Sequence, residues 1–253
     1  MRYELLGPLR VSKQDADLLL AAPKLEVLLA ALLIRADQVV SAEQLLMELW
    51  GEAPPRRARA GLYVYISQLR KALDPGPGAP SPILTRTPGY TLRLGTDEFD
   101  LHGFQRLVRA GRVLLGQGRV AEAADQFERA LGLWRGSILG GLEGGPIIDS
   151  FSVWLEECRL ECLELQVEAD LRLGRHRQVV GRLYSLTTEH PLRETFWRLL
   201  MLALYRSDRQ ADALRTYQRT RELVAAELGV EPGSALRDLH RAILLNDSNL
   251  ALC

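Results

Sequence analysis

One stretch in the first half of the chain carries side chains suited to binding an anionic partner. Between Ala53 and Leu94 there are seven basic residues and one acidic residue, Asp74, which gives a local net charge of +6. The basic residues are Arg56, Arg57, Arg59, Arg70, Lys71, Arg86 and Arg93. Arginine and lysine hold phosphates or read guanine, and a glutamine such as Gln68 can form two hydrogen bonds with adenine. This chemistry indicates recognition of double-stranded DNA.

A helix must position these side chains. Its apolar row is Leu62, Ile66, Leu69 and Leu73, which recur at helical spacing. Pro54-Pro55 precedes the helix, and a proline- and glycine-rich stretch after Asp74 ends it. The opposite side and its flanks carry the residues predicted to face DNA, which are Arg57, Arg59, Gly61, Val64, Tyr65, Ser67, Gln68, Arg70 and Lys71. We expect Gly61 to allow close approach of the backbone without contacting a base.

The elements before this helix predict a helix-turn-helix. The first twenty residues favour short antiparallel strands, with a polar stretch from Ser12 to Asp15. A leucine-rich helix is predicted from Pro23 to about Arg35. Ser41 and Gln44 form a capping-box pattern that opens a second helix, which Trp50-Gly51 ends.

A hairpin is predicted after the basic helix, with strands on either side of a turn at Pro88-Gly89. Arg86 lies beside that turn, where a wing can insert a guanidinium into a minor groove. Tyr90 has two open interpretations, because it can donate to a phosphate or pack under the wing. A basic helix alone could be an ordinary solvated face, but these flanking elements favour a winged helix-turn-helix that binds DNA.

The remainder of the chain predicts helical repeats. Strand signals vanish after Gly95, and Asp100 is expected to cap the first of a series of amphipathic helices. Similar segments begin at Gly118, Gly174 and Asp208, spaced 56 and then 34 residues, and the second spacing matches the tetratricopeptide period. Each segment places a small or β-branched residue four before a large one, in the pairs Ala123 and Phe127, Val179 and Leu183, Ala213 and Tyr217. The predicted fold is therefore mostly α with a small β part, with a winged domain over residues 1–95 and helical repeats over residues 96–253.

Charge and composition agree with this division. The whole chain is neutral, but residues 1–95 carry a net +3 and the rest a net −3. Without an apolar run of about 18 residues or a signal-peptide pattern, the chain is expected to be cytoplasmic, with no membrane partner. Three cysteines, Cys158, Cys162 and Cys253, make a disulfide framework improbable.

The residues that could support an enzyme do not form a catalytic pattern. The glycine-rich stretch after Gly140 lacks the Lys-Ser/Thr of a phosphate-binding loop, so it is interpreted as a flexible connector within Gly136 to Pro146. Cys158 and Cys162 could share a metal, but no third ligand is near in sequence, which favours small core residues. We therefore predict no catalytic residue, no cofactor and no metal site.

Several blocks of sequence resemble the Streptomyces antibiotic regulatory protein family. In the first half they are Val39-Val-Ser, Leu49-Trp-Gly-Glu-Ala-Pro-Pro, Tyr63-Val-Tyr-Ile-Ser-Gln-Leu-Arg-Lys-Ala-Leu and Leu84-Thr-Arg-Thr-Pro-Gly-Tyr. In the second half they are Asp100-Leu-His-Gly-Phe, Trp134-Arg-Gly, Glu189-His-Pro-Leu-Arg-Glu, Met201-Leu-Ala-Leu-Tyr-Arg-Ser and Glu227-Leu-Gly-Val-Glu-Pro-Gly. The second set is similar to that family's bacterial transcriptional activator domain. The chain resembles the short form of the family, without further modules.

This resemblance implies a function and its partners. An OmpR-type winged helix is expected to bind direct repeats near the promoter −35 element as a homodimer. It would recruit RNA polymerase, through the sigma factor and other subunits, to antibiotic biosynthesis genes. Members often have a hydroxyl residue or alanine at the position of Gly61 and a base at that of Gln68, so the resemblance does not predict the operator bases. The alternative is a helical-repeat scaffold or effector-binding protein with a degenerate winged domain. We also expect residues 1 to about 98 to fold alone.

Overall fold

The computed structural model describes residues 1–14, 16–20, 22–76, 78, 80–247 and 250, and Asp15 and Cys253 lie outside this part. The chain is mostly helical with short strands and forms two compact units. The first unit contains Met1–Leu107 and Ala130–Leu160. The second contains Val108–Arg129 and the described residues from Glu161 onward. The predicted fold class, a small β part in a mostly helical chain, is confirmed.

The first unit begins with a small sheet. Its strands are β1 (Arg2–Glu4), β2 (Arg10–Lys13), β3 (Ala16–Asp17) and β7 (Glu98–Phe99), in the order β3-β2-β1-β7. The antiparallel pairs β1–β2 and β2–β3 confirm the predicted strands. The parallel pairing of β1 with β7 corrects the expectation that strands end at Gly95. Two residues are too few to show an alternating pattern, so sequence periodicity does not reveal β7.

Three helices form the core of the winged domain. They are α1 (Pro23–Ile34), α2 (Ala42–Trp50) and α3 (Ala58–Ala72). The predicted capping box of α2 is present, since Ser41 Oγ accepts from Gln44 N at 3.1 Å and Gln44 Oε1 accepts from Ser41 N at 3.0 Å. The predicted apolar row of α3 is buried, at Leu62, Ile66, Leu69 and Leu73. Burial of this row fixes which side of α3 faces solvent.

A three-stranded sheet completes the wing, with the order β4-β6-β5. These strands are β4 (Val40–Ser41), β5 (Ile83–Arg86) and β6 (Gly89–Leu92). Gly89 is required here, because a Cβ on it would lie 1.9 Å from the Val40 carbonyl oxygen. The predicted hairpin is confirmed, with Arg86 paired opposite Gly89 at its closed end.

The first unit also includes residues well beyond the wing. Helix α4 (Asp100–Gly116) starts with Asp100, whose carboxylate accepts from the backbone N–H groups of Leu5 and Leu6, both at 2.9 Å. In the segment predicted to be a flexible connector, Gly136 to Pro146, Leu139 is buried and its backbone N–H donates to the Leu5 carbonyl at 3.3 Å. Most of that segment is exposed, and its flexibility stays a prediction.

The second unit contains the helical repeats. Its helices include α5 (Val120–Leu131), α6 (Pro146–Arg172), α7 (His176–Glu189), α8 (Glu194–Tyr205), α9 (Gln210–Leu228) and α10 (Ser234–Leu244), with α5 and α6 belonging to it in part. The three predicted repeat starts adopt the left-handed conformation, with φ of 75° at Gly118, 76° at Gly174 and 62° at Asp208. A helix begins two residues after each of them, and all six predicted repeat residues, Ala123, Phe127, Val179, Leu183, Ala213 and Tyr217, are buried. The tetratricopeptide-like prediction is thereby confirmed.

Two further properties of the described residues bear on other functions. Within those residues, no helix is long and apolar enough to cross a membrane. The same part of the chain holds no group of three or more His, Cys, Asp or Glu side chains arranged to bind a metal ion. Cys162 is buried, and burial raises the pKa of its thiol to about 12, which keeps it protonated and unreactive at neutral pH.

Candidate nucleic-acid interface

The exposed face of α3 is basic and carries no acidic residue anywhere along Ala58–Ala72. Arg59, Ser67, Gln68 and Lys71 on the helix, together with Arg57 just before it, are all exposed. These are five of the residues that the sequence predicted to face DNA. An acid-free helix with amide and basic side chains can enter a major groove and meet both base edges and phosphates.

Gly61 and Tyr65 lie toward α2 and not at the centre of this face. Their neighbour is Trp50, whose ring centroid is 6.1 Å from that of Tyr65. A Cβ added to Gly61 would lie 3.3 Å from the same indole. The structure therefore gives Gly61 a role in helix packing, whereas the sequence suggested close approach to DNA.

Arg70 connects α3 to the wing. Its Nε donates to the Ile83 carbonyl at 3.0 Å, and one of its terminal nitrogens donates to Thr85 Oγ1 at 2.8 Å. The guanidinium also lies over the Tyr90 ring, 5.9 Å from its centroid. Arg70 thus fixes the position of the hairpin relative to α3, a role that a simple phosphate contact does not require.

Tyr90 is buried in the wing, with 5% of its surface exposed. Burial is the main cause that raises its pKa above the ordinary tyrosine value. This location favours packing under the wing over a phosphate contact. Arg86, in contrast, is exposed next to the turn of the hairpin. A side chain at that position of a wing can reach a DNA minor groove.

Arg59 is already engaged in an ion pair with Glu43 of α2. Both side chains remain 65% exposed, and ion pairs in water contribute little free energy. Breaking this ion pair so that Arg59 could contact another anion would therefore cost little free energy. The pair holds Arg59 near the N-terminal end of α3.

Sequence reasoning missed two residues of this region. Tyr63 lies on α3 with 60% of its surface exposed. Its position 100° around the helix from the buried Leu62 could have indicated that it faces solvent.

The second is Glu48 of α2, which is 4% exposed. Its carboxylate accepts hydrogen bonds from the backbone N–H groups of Gly145 at 2.9 Å, Ile147 at 2.6 Å and Ile148 at 3.4 Å. Glu48 thereby holds α2 against the start of α6, which positions the helix-turn-helix. Nothing near Glu48 in sequence signals this contact.

Family models match both halves of the chain. The model described as "Transcriptional regulatory protein, C terminal" matches residues 18–92, and "Bacterial transcriptional activator domain" matches residues 99–244. The second match alone covers more than half of the chain. The first contains α1, α2, α3 and the hairpin, and so includes the whole basic face described above.

Known proteins resemble the chain over nearly its full length. It is 42% identical to the regulatory protein AfsR of Streptomyces coelicolor over 99% of this chain, and spans 25% of that longer protein. It is 36% identical to the regulatory protein DnrI of Streptomyces peucetius, over 99% of this chain and 94% of DnrI. The solved structure of Mycobacterium tuberculosis EmbR in complex with a low affinity phosphopeptide superposes with a TM-score of 0.90 at 35% identity, covering 97% of this chain and 65% of that one.

The two matched family models lie in order along this chain. A winged domain of OmpR type is followed by a bacterial transcriptional activator domain, in the same order as in the matched relatives. The matched relatives named above are regulatory proteins. The chain belongs to the Streptomyces antibiotic regulatory protein family of transcriptional regulators.

Proposed function

We propose that this chain activates transcription by binding promoter DNA through α3 and the wing. The observation that carries the proposal is the acid-free exposed face of α3, held to the hairpin by the two hydrogen bonds of Arg70. In this arrangement one helix enters the major groove while Arg86 reaches the neighbouring minor groove. A chain that acts on a bacterial promoter works in the cytoplasm.

Within this interface the exposed residues have different roles. Gln68 contacts a base, because its amide offers both a donor and an acceptor to an adenine edge. Arg57, Arg59 and Lys71 hold phosphates on either side, and Ser67 adds a hydroxyl contact. Gly61, Tyr65, Arg70 and Tyr90 act indirectly, since they set the positions of α3 and the wing.

Two protomers bind side by side on direct repeats near the −35 element. One winged domain reads a single groove segment, which gives modest specificity, and a repeat of half-sites multiplies it. The helical-repeat domain then supplies contacts between protomers and a surface for RNA polymerase, including its sigma factor. Stacked helices suit this role because they offer an extended surface. The family resemblance supports antibiotic biosynthesis genes as targets.

The spacing of half-sites tests this proposal directly. Footprints on the promoters flanking its own gene should show two half-sites on the same face of the duplex, about 10–11 base pairs apart. Insertion of roughly five base pairs, about half a helical turn, should abolish cooperative binding because the second protomer then faces the opposite side. Equal protection of native and spaced sites would contradict side-by-side binding.

The salt dependence separates this proposal from a repeat scaffold with a degenerate winged domain. DNA affinity should fall steeply as salt rises, since each phosphate contact releases bound counterions. A scaffold should not shift promoter DNA at moderate salt. An electrophoretic shift measured on promoter and scrambled DNA at several salt concentrations distinguishes the two.

A further inference from the structure

A cavity lies within the first unit, away from the exposed face of α3. Its volume is about 390 Å³, which is within the range of small-molecule sites. It is lined by the end of α1, the turn that follows, the end of β7, the start of α4 and the first three turns of α6. The residues proposed to contact DNA do not line this cavity.

Three aromatic side chains, Phe99, Phe151 and Trp154, contribute to its wall. Phe99 and Phe151 are buried with 7% of their surface exposed, while Trp154 is 43% exposed at the rim. The rings of Phe151 and Trp154 are 5.7 Å apart, and His102 meets Phe99 edge to face at 5.0 Å. Such walls favour a planar aromatic ligand, because rings gain from stacked and edge contacts beyond the burial of apolar area.

The charge of the lining indicates the polar part of the ligand. Among the residues that line this cavity, the ionisable ones are Arg35 and His102, and none is acidic. Arg35 is exposed at the end of α1, so its guanidinium can turn toward a bound anion. Gln38 and Gln105 add neutral donors. A planar aromatic carboxylate matches this combination, since a guanidinium binds a carboxylate with two parallel hydrogen bonds.

We infer that this cavity is a binding site for a small planar aromatic carboxylate. The rings of Phe151 and Trp154 hold the aromatic part, and Arg35 pairs with the carboxylate. The inference does not depend on DNA binding, because the cavity is separate from α3's exposed face and the test below uses no DNA.

The test uses 1-naphthoate as the probe and the full chain, with calorimetry and quenching of tryptophan fluorescence as readouts. Saturable binding with a Kd of about 1 mM or below is expected for a ligand of this size. The neutral amide, 1-naphthamide, should bind about tenfold more weakly, the loss expected for one charge-assisted hydrogen bond. Absence of saturable binding, or equal affinity for the acid and the amide, would overturn the inference.

Variants locate the probe. Arg35→Gln should weaken naphthoate about tenfold while leaving naphthamide unchanged, so that the two ligands bind alike. Ser150→Trp should block both ligands, because Ser150 is exposed on the lining and a large ring there fills the cavity without disturbing the core. Arg10→Gln is the matched control, since Arg10 is exposed on β2 outside the cavity. If Arg10→Gln weakens naphthoate as much as Arg35→Gln, or Ser150→Trp leaves binding intact, the probe binds elsewhere and the inference is wrong.

Discussion

Two neighbouring residues of α3, Gln68 and Lys71, allow base reading to be separated from phosphate binding. Both are exposed, so substitution by alanine leaves the core intact. Gln68→Ala should relax base preference at one or two positions by about 1–3 kcal/mol, because a bidentate contact is lost. Lys71→Ala should weaken binding to all DNA sequences alike. It should also reduce the slope of log K against log salt concentration by about one, because one phosphate contact is lost.

Binding to operator and scrambled DNA measures both effects. The two variants control for each other, since each removes one exposed side chain from the same helix. Equal losses on both DNAs for Gln68→Ala would show that it does not read bases.

Glu48 links α2 to the start of α6. Its buried carboxylate satisfies three backbone N–H groups at the start of α6. Glu48→Gln replaces one accepting oxygen by a donor, which leaves buried N–H groups unsatisfied. We expect the free energy of unfolding to fall by about 3 kcal/mol. Urea unfolding of the variant and the parent chain measures this change.

The matched control for Glu48 is Glu52→Gln, the same change at an exposed position just after α2. It should change the free energy of unfolding by no more than about 0.5 kcal/mol. Similar values for the two variants would mean that the buried hydrogen bonds contribute nothing to stability. Weaker promoter binding by Glu48→Gln under fully folded conditions would indicate that it also positions α3.

At the scale of whole elements, helix contacts in the repeat domain depend on glycine. Gly111 of α4 packs against Phe127 of α5, and a Cβ on Gly111 would lie 2.5 Å from a ring carbon. Gly111→Ala should lower the free energy of unfolding by about 1–2 kcal/mol, because overpacking exceeds the gain in helix propensity. The unfolding transition in urea gives this difference.

Gly181 of α7 provides the control for that substitution, since no neighbouring atom lies within 4 Å of a Cβ added there. Gly181→Ala should stabilise the chain by about 0.5–1 kcal/mol through helix propensity alone. Stabilisation by Gly111→Ala as well would show that α5 moves away from α4 at little cost.

At the scale of the whole molecule, the structure changes what we expect of a truncated winged domain. The sequence suggested that residues 1 to about 98 fold alone. The first unit, however, also contains Asp100 and the segment Ala130–Leu160. The Asp100 carboxylate accepts hydrogen bonds from Leu5 and Leu6, and Ala130–Leu160 contains the backbone N–H groups that Glu48 binds. A fragment of residues 1–98 should therefore melt at least about 12 °C below the full chain, in line with the loss of at least about 3 kcal/mol.

That fragment also tests the division of labour between the domains. It should bind a single half-site weakly, with a steep salt dependence, and should not stimulate transcription in vitro. Full activation by the fragment would assign the polymerase contact to the winged domain. A fragment as stable as the full chain would show that the contacts of Glu48 and Asp100 are dispensable.

The amino-acid sequence alone determined the features that repeat along the chain or depend on near neighbours. The buried row of α3, the capping box at Ser41 and Gln44, the hairpin and the repeat starts at Gly118 and Gly174 follow from periodicity, caps and turn residues. The exposed bases of α3 follow from the same periodicity, because a buried row fixes the opposite face.

Only the tertiary structure decided the features whose partners are distant in sequence. Glu48 meets N–H donors 97 to 100 residues away, and β7 pairs with β1 across nearly the whole winged domain. Arg70 and Tyr90 have the composition of DNA-contacting residues, yet their neighbours turn them into supports for the wing. A side chain's type limits which hydrogen bonds it can form, but the partner that bonds to it is set by how the chain folds back on itself.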